Sequence, residues 1–106
     1  MALEDRLGYR FRKPAYLQQA LRHRSVGGEH NQRLEFLGDA LLGWLVARWL
    51  STQLPQADEG QLTRLRARFV GSEYLAQVAK RLVLDQVLDV DKSVGLPLSD
   101  KLLADA

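Results

Sequence analysis

The sequence predicts an all-α fold, and three observations lead to that prediction. Apolar residues recur mainly at spacings of three and four, the period of a helix face. The alternation typical of strands is rare, and glycines and capping residues separate the apolar segments. With 106 residues, of which 46% are hydrophobic, the chain suits one domain with a modest core. We therefore interpret residues 1–106 as a single domain.

The first half of the chain predicts two helices. Pro14 is suited to the first turn of a helix. The residues expected on its buried face are Leu17, Ala20 and Leu21. After the Gly27-Gly28 break, Asn31 is the expected N-cap of a long helix that ends near Leu50. Its apolar stripe consists of Leu34, Leu37, Leu41 and Leu45.

The second half predicts shorter helices. We expect Ser51 to Gly60 to form a connection before a further helix. The apolar face of that helix holds Leu62, Leu65 and Phe69. Gly71 is expected to end it, and Ser72 to cap the next one. Leu84 to Leu98 is less regular and predicts a turn and a loop, after which Ser99 caps a final short helix.

The composition excludes several classes of protein. The chain has no cysteine, which excludes disulfides and thiolate metal sites. No apolar run is long enough to span a membrane, and the N-terminus is charged rather than signal-like. We therefore expect a cytoplasmic protein without a membrane partner.

Basic residues are clustered although the net charge is only +2. Seven of the fifteen lysines and arginines occur by position 33: Arg6, Arg10, Arg12, Lys13, Arg22, Arg24 and Arg33. A second cluster consists of Arg64, Arg66 and Arg68. Such clusters are compatible with phosphate contacts. Solvated helix faces are the alternative, and for charge runs in general they are the preferred interpretation.

Two carboxylates in the long helix are candidate metal ligands. Glu35 and Asp39 are the only charged residues between Leu34 and Ala47, and their spacing of four puts both on one helix face. Unpaired neighbouring carboxylates repel each other, so a cation is expected between them. On spacing alone an arginine ion pair is preferred, and Mg²⁺, which binds oxygen ligands, is the alternative.

The remaining polar candidates carry weaker signals. Asp58-Glu59 precedes a predicted helix and is typical of N-terminal capping. Asp105 in the last helix resembles a surface acid. His23 and His30 are too few for a histidine-rich metal site, and we interpret both as polar residues at helix ends.

The segment His30-Asn31-Gln32-Arg33-Leu34-Glu35-Phe36-Leu37-Gly38-Asp39-Ala40 closely resembles the signature of the ribonuclease III family, which usually has Glu where Gln32 stands. Several shorter matches support it: Leu7 to Phe11, Ala20 to Ser25, Glu59-Gly60, Leu65 to Ala67, Val70 to Ala76 and Lys101 to Ala106. The resemblance covers nearly the whole chain and is weakest from Leu88 to Leu98. It implies the ribonuclease III endonuclease fold. We expect no double-stranded-RNA-binding domain within residues 1–106.

The resemblance also implies a catalytic site. Glu35, Asp39 and Asp105 match family carboxylates that hold Mg²⁺, for which Mn²⁺ can substitute. A further family glutamate, three residues after the last aspartate, falls beyond Ala106. The final helix is therefore expected to be incomplete, and this chain by itself to have reduced or no activity. Gln32 and Glu59 match auxiliary positions.

The function that the resemblance implies is metal-dependent cleavage of double-stranded RNA to 5′-phosphate and 3′-hydroxyl ends. Phe36 matches a residue that contacts a partner subunit in a homodimer, and we assign Arg64 and Arg68 to RNA binding. The alternative is a catalytically inactive family member that serves as a dimerisation or RNA-binding scaffold. A helical interaction module without an RNA role would leave the signature unexplained.

Overall fold

The computed structural model describes residues 2–91, 93–95 and 98–106, and within them it confirms the all-α prediction. The α-helices are α1 (Ala2–Leu7), α2 (Pro14–Ala20), α3 (Gln32–Gln53), α4 (Glu59–Phe69), α5 (Ser72–Arg81), α6 (Leu84–Val87) and α7 (Asp100–Asp105). A 3-10 helix covers Arg24–Val26. The described residues contain no strand, only an isolated parallel bridge between Arg22 and Asp89.

The long helix α3 extends three residues beyond the predicted end at Leu50. The predicted connection from Ser51 to Gly60 is therefore shorter in the structure, where 54–58 joins α3 to α4. The start of α4 is fixed by a capping box. The Asp58 side chain accepts a hydrogen bond from the Gln61 amide, and the Gln61 side chain accepts one from the Asp58 amide. The capping interpretation of Asp58 is thus confirmed.

The main core lies between α5 and α7. Ala76 and Ala79 of α5 lie in one buried cluster with Leu98 and Leu103. The partly buried side chains that pack against it are Leu84, Leu88, Val90, Val94 and Leu102. Small alanines on α5 let the short α7 approach closely. The Ser99 hydroxyl accepts a hydrogen bond from the Leu102 amide, so the predicted cap of α7 is confirmed.

Two details of this half differ from the predictions. Gly71, rather than Ser72, is the N-cap of α5, and Ser72 is its first helical residue. A side-chain cap is not formed there because the helix begins one residue earlier than expected. The predicted loop from Leu84 to Leu98 contains the short helix α6, and its positions 92, 96 and 97 lie outside the described residues.

The N-terminal helices are attached to the rest of the chain at a few points. Leu3 is 1% exposed, and the Arg6 guanidinium donates a 2.8 Å hydrogen bond to the Leu82 carbonyl after α5. Leu17 is the buried residue of α2, while Ala20 and Leu21 are only half-buried. Residues 8–13 lie outside helices.

One face of α3 is uncovered. Leu50 is its only buried residue, and exposed apolar side chains run along the helix: Phe36, Leu37, Leu41, Trp44, Leu45 and Trp49. The Cα radius of gyration is 15.3 Å, compared with about 13 Å for a compact domain of this length.

None of the described helices has the length and hydropathy needed to cross a membrane.

Candidate functional site

The N-terminus of α3 is anchored by a buried asparagine. Asn31 is 7% exposed, and its side-chain amide donates a 3.2 Å hydrogen bond to the Ala20 carbonyl at the end of α2. The Asn31 backbone amide donates to the Arg22 carbonyl at 3.0 Å. Asn31 therefore occupies the predicted N-cap position, but its side chain joins α3 to α2 instead of capping the helix.

A groove of about 730 Å³ lies between α3, α5 and α7. Its lining is mostly apolar and includes Leu42, Leu75 and Val78. The three predicted metal ligands also line it: Glu35, Asp39 and Asp105. We call it the carboxylate groove. Glu35 and Asp39 come from one face of α3, as their spacing predicts, and Asp105 arrives through the packing of α7 on α5.

A second cavity of about 400 Å³ shares two of these carboxylates. Glu35 and Asp105 line it together with His23, Arg24 and Lys101, and we call it the basic cavity. The Lys101 ammonium lies 3.3 Å from an Asp105 carboxylate oxygen, one helical turn away on α7. Gln32 lines both cavities. Glu35 and Asp105 therefore lie between a mostly apolar groove and a cavity that also holds the cationic side chains of Arg24 and Lys101.

The electrostatics of Glu35 reflect this position. Loss of water contact at its carboxyl group, which faces both cavities, raises its pKa above the ordinary 4.5. Asp105 and, less strongly, Asp39 raise the pKa further, while Lys101 and Arg24 lower it. The net upward shift shows that the nearby cations do not compensate for desolvation and the neighbouring carboxylates.

The predicted arginine ion pair is not found. Within residues 2–91, 93–95 and 98–106, neither Glu35 nor Asp39 has a cationic group within 4.0 Å. The same part of the chain contains no group of three or more acidic or histidine side chains close enough to hold a metal ion. The donor set consists of carboxylate oxygens, and of the three carboxylates only Asp105 has an ion-pair partner among the described residues, so the set fits Mg²⁺ in chemistry. The side chains of Glu35, Asp39 and Asp105 would have to rearrange to bind one metal ion together.

Both histidines have structural roles. The His23 Nδ1 accepts a 3.1 Å hydrogen bond from the Ser25 amide and caps the 3-10 helix. The His30 Nδ1 accepts a 3.3 Å bond from the Gln32 amide at the start of α3. Their interpretation as polar residues at helix ends is confirmed.

Comparison with known proteins places this geometry in a family. The family model of the Ribonuclease III domain matches residues 32–105. Ribonuclease 3 of Alkalilimnicola ehrlichii is 54% identical over 81 residues, which are 76% of this chain and 36% of that protein. Ribonuclease 3 of Hahella chejuensis is 45% identical over 108 residues, 98% of this chain and 47% of that protein. The chain belongs to the ribonuclease III domain family.

Solved structures agree with this assignment. The nuclease domain of ribonuclease III from Campylobacter jejuni superposes with a TM-score of 0.93 at 33% identity, over 98% of this chain and 76% of that one. The Campylobacter structure is described as showing structural flexibility in the region involved in dimer formation of that nuclease domain. The fold prediction is therefore confirmed. The present ribonuclease III domain spans about a third to a half of the two curated relatives.

The other predicted residues lie elsewhere in the ribonuclease III domain. Glu59 lines neither cavity, and its carboxylate accepts a 2.7 Å hydrogen bond from the Thr63 hydroxyl one turn along α4. Arg64 and Arg68 are exposed on α4. Phe36 borders the carboxylate groove and is 77% exposed. The three carboxylates, Gln32 and Phe36 thus line one groove, whereas Glu59, Arg64 and Arg68 do not.

Sequence reasoning did not single out Arg24 and Lys101 as site residues. Lys101 had a local signal, because it stands four residues before Asp105 on a helix. Arg24 had none. It reaches the basic cavity because residues 21–23 pair with Asp89, a contact between distant parts of the chain.

The raised pKa of Glu35 predicts a pH-dependent effect on stability. The folded chain holds this proton more tightly than the unfolded chain, so stability falls as pH rises from 4.5 through the raised value, and the loss persists at pH 7. In EDTA, Glu35→Gln should raise the Tm by about 1–3 °C at pH 7 and leave it unchanged near pH 4. The control Glu29→Gln alters an exposed glutamate outside both cavities. A Tm of Glu35→Gln at or below that of the parent at pH 7 would contradict the argument.

Proposed function

We propose that this chain is the catalytic domain of an endoribonuclease that cuts double-stranded RNA with Mg²⁺. One observation carries the proposal: in a chain of the ribonuclease III family, Glu35, Asp39 and Asp105 line a single groove. Glu35 and Asp39 have no cationic partner within 4.0 Å in the described residues, and neighbouring carboxylates repel each other unless a cation lies between them. The proposed ligand is Mg²⁺, with Mn²⁺ able to substitute.

The three carboxylates would hold the metal, which when bound supplies Lewis-acid charge stabilisation and an activated water. Side chains of this domain prepare the site. Lys101 holds the Asp105 carboxylate by an ion pair. The Gln32 amide, at the junction of both cavities, can donate hydrogen bonds without adding charge. Cleavage at the bond between phosphorus and O3′ would leave 5′-phosphate and 3′-hydroxyl ends.

We propose double-stranded RNA as the substrate, recognised by its shape, phosphates and 2′-hydroxyls. Arg64 and Arg68 support this assignment because both are exposed and lie on one helix, α4. Their spacing of four places both side chains on the same helix face. Such a face can follow an RNA backbone, and its affinity would decrease as salt is raised.

We further propose that the domain acts as a homodimer through the uncovered face of α3. Phe36 is 77% exposed, and Leu37 and Leu41 beside it are 64% and 58% exposed. Exposed apolar stripes of this kind are typical of protein interfaces. A central aromatic residue commonly contributes much of the binding free energy.

Phe36→Ala is therefore expected to weaken the dimer by about 30-fold or more, because truncation of an aromatic anchor costs about 2 kcal/mol or more. Light scattering across a dilution series measures the change. Tyr16→Ala, which removes another exposed aromatic on α2, should leave the dimer unchanged. Equal dissociation of both variants would argue against Phe36 as an interface anchor.

A catalytically inactive scaffold is the second candidate, and two observations favour it. Gln32 replaces the usual family glutamate, and no set of three metal-ligating side chains is assembled in the described residues. A scaffold would bind an RNA duplex without cutting it.

Incubation with a labelled RNA duplex, in Mg²⁺ or EDTA, distinguishes the two candidates. Mg²⁺-dependent cuts that leave 5′-phosphate and 3′-hydroxyl ends would support the enzyme. Binding without cutting, by a folded and dimeric chain, would support the scaffold. Absence of both would contradict both.

A further inference from the structure

Arg24 lies in the basic cavity without a partner of its own. It is exposed, and within the described parts of the chain its guanidinium makes no hydrogen bond and no ion pair. The two other cationic side chains nearby, unlike Arg24, each have a carboxylate partner. Arg22 lies 3.6 Å from an Asp89 carboxylate oxygen, and Lys101 pairs with Asp105. Arg24 therefore brings an uncompensated positive charge to a cavity that also contains two carboxylates.

The backbone that carries Arg24 is held in place. The His23 amide donates a 2.8 Å hydrogen bond to the Asp89 carbonyl, and the Asp89 amide donates a 2.9 Å bond to the Leu21 carbonyl. On the other side, the Ser25 hydroxyl accepts a 2.9 Å bond from the Asp91 amide. Contacts before and after Arg24 thus fix its Cα position. Only the side chain has to order when a ligand binds, which lowers the entropic cost.

Electrostatics explain why an arginine is useful here. Arg24 is close enough to lower the pKa of Glu35 but does not form an ion pair with it. An RNA backbone that approaches Glu35 and Asp105 is repelled by their charges. A guanidinium at the same cavity offsets this repulsion, and its planar donor fork matches two phosphate oxygens.

We propose that Arg24 is a phosphate-binding residue that holds an RNA backbone phosphate next to the carboxylate site. The proposal rests on the proposed function and extends it to a residue outside the metal-ligand set. The guanidinium of Arg24 would donate both hydrogen bonds. Since His23 and Lys101 line the same cavity, the phosphate would lie among polar side chains rather than against the apolar groove.

Direct RNA binding tests the proposal without depending on cleavage. The parent, Arg24→Ala and Arg24→Lys are titrated with an RNA duplex in Ca²⁺ in place of Mg²⁺, at several salt concentrations, and gels verify that the duplex stays intact. The matched control is Arg81→Ala, which removes an exposed arginine of α5 that lines neither cavity. Circular dichroism confirms that each variant is helical.

For Arg24→Ala we expect about tenfold weaker binding near 0.1 M salt and a salt slope smaller by about one per protomer. Arg24→Lys should restore the slope, because its charge is kept, but only part of the affinity. Arg81→Ala should match the parent. Under Mg²⁺, Arg24→Ala should raise KM more than it lowers kcat.

Each other outcome has a distinct meaning. If Arg24→Ala keeps the affinity and salt slope of a parent that binds and cuts RNA, the inference is overturned and the proposed function stands. Weaker binding with an unchanged salt slope, or with loss of helical signal, would show a structural role and also overturn it. A folded parent that neither binds nor cuts RNA would overturn the proposed function and this inference together.

Discussion

Asp39→Asn should lower Mg²⁺-dependent cleavage of an RNA duplex by at least 10²–10³-fold, because stabilisation of developing charge by a correctly held metal is a dominant catalytic term. The substitution preserves the shape of the side chain and its position in the carboxylate groove. It removes one negative charge from the proposed metal site. Single-turnover cleavage rates with excess protein measure the loss.

The control for that substitution is Asp100→Asn. Asp100 is an exposed carboxylate of α7 that pairs with Lys80 at 3.1 Å and lines neither cavity. The Asp100→Asn variant should cut RNA at nearly the parental rate, since an exposed ion pair contributes at most about 1 kcal/mol to the stability of the fold. Mn²⁺ titration followed by electron paramagnetic resonance adds a readout independent of activity. If the Asp39→Asn variant keeps the parental cleavage rate and the parental Mn²⁺ affinity, Asp39 is not a ligand in the proposed metal site.

Leu103→Ala should destabilise the chain by about 2–5 kcal/mol, the usual range for truncation of a buried leucine. Leu103 is 3% exposed and belongs to the cluster that joins α7 to α5. For a chain of this size the Tm should decrease by about 10 °C or more. Because the total stability of a small domain is only about 5–15 kcal/mol, the expected loss is a large fraction of it.

Leu7→Ala serves as the matched control, because Leu7 is 44% exposed at the end of α1. Its effect should stay within about 1 kcal/mol. Thermal unfolding and urea titration give both values. If Leu103→Ala and Leu7→Ala are equally stable, the α5–α7 cluster is not the main core. If Leu103→Ala is destabilised as expected, it should also weaken Mn²⁺ binding, since the same packing places Asp105.

The helices could be predicted from the sequence where local signals are strong. Pro14, Asp58 and Ser99 each mark the start of a helix by chemistry that acts within one turn, and the structure confirms all three. The Asn31 side chain could not be assigned in this way. Asparagine is a good N-cap, but here its side-chain amide binds the Ala20 carbonyl eleven residues earlier. Tertiary contact overrides the local preference.

The candidate site was predictable only in part. The spacing of Glu35 and Asp39 places them on one face of a helix, and both line the same groove. The arginine ion pair preferred on spacing alone was wrong, because within the described residues no arginine comes within 4.0 Å of either carboxylate. The positions of Asp105 and Arg24 depend on the α5–α7 packing and the 21–23 pairing. Neither contact has a signal in the local sequence.

The uncovered face of α3 has a consequence for optical measurements. Both tryptophans of the chain, Trp44 and Trp49, lie on this helix and are 58% and 52% exposed. Intrinsic fluorescence excited at the tryptophan band therefore reports almost entirely on α3. Any protein surface that covers this face would move the indole rings from water to an apolar environment and shift their emission to shorter wavelength. The domain thus contains an unlabelled probe of protein surfaces that bind α3.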